Sequence, residues 1–321
     1  SANSANSANS ANSANYTGPL VVDHAGIFTS VRMDDYVKVH EDIQREGLKG
    51  LAIIQAHIDF QESTNSSSLY ALDLTEYNIG NEGATALADG LQTNTTITTL
   101  GQSLRELQLG DNNIGHEGAT ALAHGLQTNT TITTLGLARN NIGDLGTTAL
   151  AQGLHTNTSV TKLVLVGMYS RFWGNTKGKN IGPNGAKALA NMLTRNGSLR
   201  ELELKTNEID DEGASALAEG LKTNTAVTKL GLQNNKIGDE GASALAEGLK
   251  TNTAVTTLNM SDNHIDPAGA TALSEMLPQN GSLREFDLTF NNIGQEGASA
   301  LAEGLKTNTA VTKLGLGKNK I

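Results

Sequence analysis

Leu230-Gly-Leu232-Gln-Asn-Asn235-Lys-Ile237-Gly-Asp-Glu-Gly-Ala-Ser-Ala-Leu-Ala-Glu-Gly-Leu249-Lys-Thr-Asn252-Thr-Ala-Val255 is the stretch that decides the fold. Two leucines one residue apart read as a short strand. Leu230 and Leu232 share its inner face, and Lys229, Gly231 and Gln233 share the outer one. Asn235 stands where the chain leaves the strand. An amide side chain carries both donors and acceptors, so a column of such asparagines can satisfy turn groups that burial would leave unpaired. Ile237-Gly238 then leads into a helix over 240–250, with Ala242, Ala244, Leu245 and Leu249 spaced to line its inner side. Gly248 inside that helix costs about 1 kcal/mol relative to alanine, and close approach of a neighbouring helix is the compensation expected. Asn252 is suited to a left-handed helix C-cap.

Outward from this stretch the pattern recurs. The first leucine position of each copy is Leu72, Leu107, Leu135, Leu163, Leu202, Leu230, Leu258, Phe286 and Leu314. The steps are 35, 28, 28, 39, 28, 28, 28 and 28 residues, a period of 28 with insertions of 7 and 11. The turn asparagines are Asn112, Asn140, Asn207, Asn235, Asn263, Asn291 and Asn319; Tyr77 and Met168 stand at the matching places of the first and fourth copies, where the column is expected to be imperfect. A fixed period of this length with this leucine spacing is a leucine-rich repeat array. It resembles the 28-residue, ribonuclease-inhibitor-like class, as in Ran GTPase activators and the repeat domains of NOD-like receptors. The resemblance covers 69–321, about eight full repeats and a truncated ninth. It implies an α/β solenoid in the form of a curved horseshoe or arc, with a parallel β-sheet on the concave face and α-helices on the convex face. No single copy buries its own apolar side, so stability must come from stacking.

The flanks differ. Residues 1–15 repeat Ser-Ala-Asn five times, a low-complexity tail with nothing to bury. Residues 16–68 read as an N-terminal capping segment, with a helix from Met33 to Glu46 and one degenerate repeat from Leu48. The chain stops at Ile321 inside a repeat. Two expectations follow: a piece of a longer array, or an end that stacks on another subunit, since a heterologous contact between unlike ends closes into a ring or runs on as a filament.

Composition narrows function. With no cysteine among 321 residues there is no disulfide framework, no Cys-ligated zinc and no thiol nucleophile. A net charge of -10 argues against a general nucleic-acid binder, and no apolar run reaches the roughly 18 residues of a membrane span. The seven histidines show no His-x-x-x-His pair, and the Ile-Gly-x-Glu-Gly runs match neither a P-loop nor a dinucleotide fingerprint. No catalytic residue, cofactor or metal ligand is called for. The localisation is open between cytoplasmic and extracellular.

Two features point to partner binding. The 11-residue insertion after the fourth strand carries Tyr169, Arg171, Phe172 and Trp173, the residue types that most often dominate interfaces, on a loop at the rim of a rigid scaffold. Ser-Leu-Arg-Glu recurs at 103–106, 198–201 and 282–285, so Arg105, Glu106, Arg200, Glu201, Arg284 and Glu285 fall on every third strand. This is either the trace of a duplicated three-repeat block or a ligand read at every third strand. Asn-x-Ser/Thr at Asn94, Asn129 and Asn157 marks glycosylation candidates along one edge, were the protein extracellular. The functional expectation is a non-enzymatic scaffold for protein–protein interaction. The alternatives are a structural subunit assembling end to end with itself, and a regulator like the Ran GTPase activators.

Overall fold

The computed structural model describes residues 71–93, 104–169 and 178–321. The tail, the capping segment and the core of the 11-residue insertion lie outside the described residues. Among those described, nine three-residue strands alternate with eight helices. The strands are β1 (Ala71–Asp73), β2 (Glu106–Gln108), β3 (Thr134–Gly136), β4 (Lys162–Val164), β5 (Glu201–Glu203), β6 (Lys229–Gly231), β7 (Thr257–Asn259), β8 (Glu285–Asp287) and β9 (Lys313–Gly315). The helices are α1 (Gly80–Thr93), α2 (His116–Thr128), α3 (Gly143–Leu154), α4 (Pro183–Leu193), α5 (Asp211–Thr223), α6 (Asp239–Thr251), α7 (Pro267–Met276) and α8 (Gly294–Leu305). The strands form one open parallel sheet in sequence order, β1 to β9. The register never slips: Leu72 faces Leu107, and so on through Leu230, Leu258, Phe286 and Leu314. This is the α/β leucine-rich-repeat solenoid expected from the 28-residue period.

The core is a set of columns. Leu230, Leu232, Ile237, Ala242, Leu245, Ala246, Leu249 and Val255 of one repeat are all at most 2% exposed, with Ala246 rather than Ala244 lining the inner side of α6. Each buried leucine is worth about 1.5–3 kcal/mol, and it is covered largely by the equivalent residues of the repeats on either side. The helices are close enough that a Cβ on Gly248 would lie 2.7 Å from the carbonyl oxygen of Ala218 in α5. The glycine is therefore the condition for the helix spacing.

Two asparagine ladders run along the array. In the first, Asn235 Oδ1 accepts from Ile209 N of the preceding repeat (3.1 Å), and its Nδ2 donates to Leu204 O and Leu232 O (both 3.0 Å). Asn207, Asn263 and Asn291 repeat this pattern. At the fourth repeat, where Met168 interrupts the column, Asn180 closes the turn from the far side of the insertion: it accepts from Met168 N (2.8 Å) and donates to Met168 O (3.0 Å). The second ladder follows the helices. Asn252 is extended (φ −73, ψ 129), not left-handed as expected. Its Nδ2 donates to Leu221 O and Asn224 O, and its Oδ1 accepts from Ala254 N and Val255 N.

Asn129 and Asn157 belong to this second ladder, 3% and 5% exposed, with Asn157 Nδ2 donating to Leu126 O and Asn129 O. That corrects the glycosylation expectation for both. The nitrogen a glycan would occupy points inward and is already bonded. Asn94 lies outside the described residues.

Candidate partner-binding face

The face of the sheet turned away from the helices is built from the first and third residues of each strand and the residue two beyond. Parallel pairing without slippage puts these positions in straight rows. The first row reads Ala71, Glu106, Thr134, Lys162, Glu201, Lys229, Thr257, Glu285 and Lys313. Glu201 is clasped from both neighbouring strands, by Lys162 (3.2 Å) and Lys229 (2.8 Å). The hydrogen bond from Lys229 holds the Glu201 carboxyl below the usual carboxylate range, and the same contact raises Lys229. Lys313 reaches Glu285 at 3.2 Å. Exposed pairs of this kind contribute about 1 kcal/mol or less. Their effect is to fix the direction of the side chains, not to hold the fold.

The second row reads Asp73, Gln108, Gly136, Val164, Glu203, Gly231, Asn259, Asp287 and Gly315. Glu203 sits partly buried at its centre, and burial pushes its carboxyl above the ordinary range. Gln233, one step further along the next repeat, has its Oε1 buried with no hydrogen-bond partner.

At the ends of the strands the turn residues form a rim. Asp111, Arg139, Asn234, Asp262, Phe290 and Lys318 all take positive φ there, and Phe290 is 57% exposed at φ 58. Arg139 donates to both carboxylate oxygens of Asp111, which raises the guanidinium pKa. Lys236 pairs with Glu208 at 3.0 Å. Where the insertion interrupts the coil, a cleft of about 500 Å³ opens between Asn141, Ile142, Asp144, Leu145, Asn180 and Lys236. Leu145 at its mouth is 70% exposed.

Tyr169 is partly buried at the root of the insertion. Arg171, Phe172 and Trp173 lie outside the described residues. Glu106, Glu201 and Glu285 take the first row of the face, on β2, β5 and β8. Arg105, Arg200 and Arg284 stand exposed just before those strands. The carbonyl of each accepts two N–H groups from the next repeat, as Arg200 O does from Thr228 N (2.8 Å) and Lys229 N (3.0 Å). At three strands apart and about 4.8 Å per strand, the Arg-Glu pairs lie about 14 Å from one another, so the fold brings them onto one face but not into one site. Sequence reading placed Glu203 and Gln233 on the outward face of the sheet but not beside one another. The signal for that meeting was the glycine of the following strand, which leaves room for the side chains beside it. Among the described residues no group of His, Asp and Glu is arranged to hold a metal ion, and no helix is long and apolar enough to cross a membrane.

Two family models agree with this architecture. A model of the tropomodulin/leiomodin (TMOD/LMOD) leucine-rich domain matches residues 212–320. A leucine-rich repeat model matches 65–88, 102–123, 128–151 and 195–218. No curated protein matches the chain. Among solved structures, a leiomodin-1 entity described as actin-binding site 2 is 29% identical, covering 41% of this chain and 78% of its own, with a TM-score of 0.38. A Caenorhabditis elegans tropomodulin C-terminal domain is 15% identical over 39% of this chain and 75% of its own (TM-score 0.34). A pollen receptor kinase 3 is 12% identical over 59% and 74% (TM-score 0.33). These scores mark only loose superposition.

Proposed function

We propose that this chain, a leucine-rich-repeat protein, is a non-catalytic scaffold that holds a protein partner across its sheet face and the adjoining rim. The observation that carries the reading is the fixed grid of the face. Nine strands in unbroken register present rows of polar and charged side chains whose directions are set by cross-strand pairs such as Lys162–Glu201–Lys229. A rigid, pre-oriented surface loses little side-chain freedom on binding, which is what a recognition face needs. The tropomodulin/leiomodin match over 212–320 supports a protein-interaction role. Because leiomodin-1's matched region is described as an actin-binding site, actin is the first partner to assay.

The test compares the chain with two variants: Lys162→Glu/Lys229→Glu on the face, and Tyr169→Ala/Trp173→Ala at the insertion. Capture from a lysate followed by direct titration of the captured protein, actin included, should give a partner whose affinity falls at least about tenfold in one variant, with unchanged thermal unfolding. Identical capture by all three proteins would count against the face and the rim together. Light scattering of the isolated chain decides the end-to-end reading, which requires particle size to grow with concentration. Absence of any stimulation of a Ran-type GTPase would remove the third reading.

A further inference from the structure

The three-repeat period leaves two glycines that the fold does not ask for. In most described repeats the asparagine of the second ladder is followed by an exposed threonine: Thr130, Thr158, Thr225, Thr253 and Thr309. Before β5 and β8 it is followed by glycine instead, as Asn196-Gly197 and Asn280-Gly281. Neither glycine has a positive φ, and a Cβ on either would meet nothing within 4 Å. Conformation and packing would both accept the threonine of the other repeats. What the glycine changes is chemistry. With no side chain on the following residue, its backbone nitrogen is free to reach the carbonyl carbon of the asparagine side chain, an approach that a stiff, β-branched threonine hinders.

The folded chain holds that reaction off. Asn196 and Asn280 are 4% and 3% exposed. Asn196 Nδ2 donates to Leu154 O (2.7 Å) and Asn157 O (3.1 Å), and its Oδ1 accepts from Ser198 N (3.0 Å) and Leu199 N (2.8 Å). Asn280 makes the same set of bonds, to Leu249 O and Asn252 O and from Ser282 N and Leu283 N. The side-chain carbon cannot turn toward the next backbone nitrogen while these bonds stand. The nitrogens of Gly197 and Gly281 donate to no other group among the described residues. The lock is the ladder.

We infer that Asn196 and Asn280 are latent deamidation sites, closed by the ladder and opened by any excursion that unstacks these repeats. In the open chain Gly197 N bonds to Asn196 Cγ and gives up its proton, the Cγ–Nδ2 bond breaks, and ammonia leaves. Water then opens the succinimide ring to aspartate or isoaspartate. No oxidant or reductant enters. The product cannot rejoin the ladder. A carboxylate accepts but does not donate, so Leu154 O and Asn157 O lose their donor and face a buried charge, which is costly away from water. Isoaspartate also lengthens the backbone by one carbon. Each repeat is stable only through its neighbours, so opening at these two places becomes irreversible with time. The inference stands apart from the partner-binding reading and does not depend on it.

The test ages the full chain in mildly alkaline buffer, folded and in urea, and follows the two peptides by mass spectrometry. Both sites should deamidate in urea, and at least about tenfold more slowly in the folded chain, because opening a packed ladder costs free energy. The variant Gly197→Thr/Gly281→Thr should fold with an equal or higher urea midpoint, since threonine narrows the unfolded chain more than glycine does. In urea it should deamidate at both sites at least about tenfold more slowly than the wild-type chain, for the steric reason above. Gly197→Ala/Gly281→Ala serves the same comparison should threonine disturb either turn. Asn184-Gly185, exposed on α4 and untouched by the substitutions, is the internal clock in urea. After equal ageing in urea and dilution, the wild-type chain should recover less folded protein than the variant. Equal rates in the folded and unfolded chain, equal rates in wild type and variant, or equal recovery overturns the inference.

Discussion

An asparagine in this array does the work of two backbone partners at once. Asn235 satisfies one N–H and one carbonyl of the repeat before it and one carbonyl of its own turn. Replacing it with alanine leaves buried polar groups unpaired, at about 1–3 kcal/mol each. Asn235→Ala should therefore lose about 2–4 kcal/mol in urea unfolding, where Asn234→Ala, at the neighbouring partly exposed position, should lose far less. The first ladder was legible from sequence, because seven asparagines at one place in the repeat are hard to read otherwise. The second was hidden by its own motif. Asn-Thr-Thr and Asn-Thr-Ser resemble glycosylation signals, yet the turn uses the backbone N–H of the third residue whatever its side chain: Thr131 N and Ser159 N donate to Asn129 Oδ1 and Asn157 Oδ1 as Ala254 N does to Asn252 Oδ1. The 28-residue spacing of these asparagines was the signal for a ladder. A single Asn-x-Ser/Thr cannot show whether its amide faces inward.

At the level of strands and helices, alternation and helical spacing carried the reading, because burial in a solenoid is one-sided and leaves a clear pattern. Gly248 shows how a local rule reverses in context. On an isolated helix, Gly→Ala gains about 1 kcal/mol. Here the new methyl would strike Ala218 O, and Gly220 meets Ala190 O at 2.6 Å in the same way. Gly248→Ala should cost about 1–3 kcal/mol, as overpacking does, with the sign read directly from chemical denaturation; a stabilised variant would mean the helices do not approach this closely. Acidic helix starts were also readable, but not their targets. Asp211 Oδ1 accepts from Gly238 N (2.7 Å) and Gly241 N (2.9 Å), at the head of the next helix, and Asp239 does the same for Asp266 N and Gly269 N. In these two repeats the acidic residue thus caps the helix of its successor. Such a bond spans some 27–30 residues and leaves no trace in local propensity.

Across the whole array, fold and recognition are carried by different atoms. Inward leucines, glycines between helices and the two asparagine ladders hold the stack, while the face rows are free to vary. That division explains what sequence could reach. The period fixes which residues point out, and so exposed Arg105, Glu201 and Glu285 as face or rim residues. It does not show which outward groups meet, since the contact of Glu203 with Gln233 depends on where side chains from two repeats come together above Gly231. The claim beneath all of this is that the turns leading into α5, α6 and α7 are each completed by the asparagine of the repeat after them. Residue-resolved hydrogen exchange tests it most directly. The amides of Ile209, Ile237 and Ile265, which donate to Asn235, Asn263 and Asn291, should be protected as strongly as the amides of Leu204 and Leu232, which donate to Gly231 O and Asn259 O just beyond the strands. Exchange of these three at the rate of exposed loop amides would contradict the account.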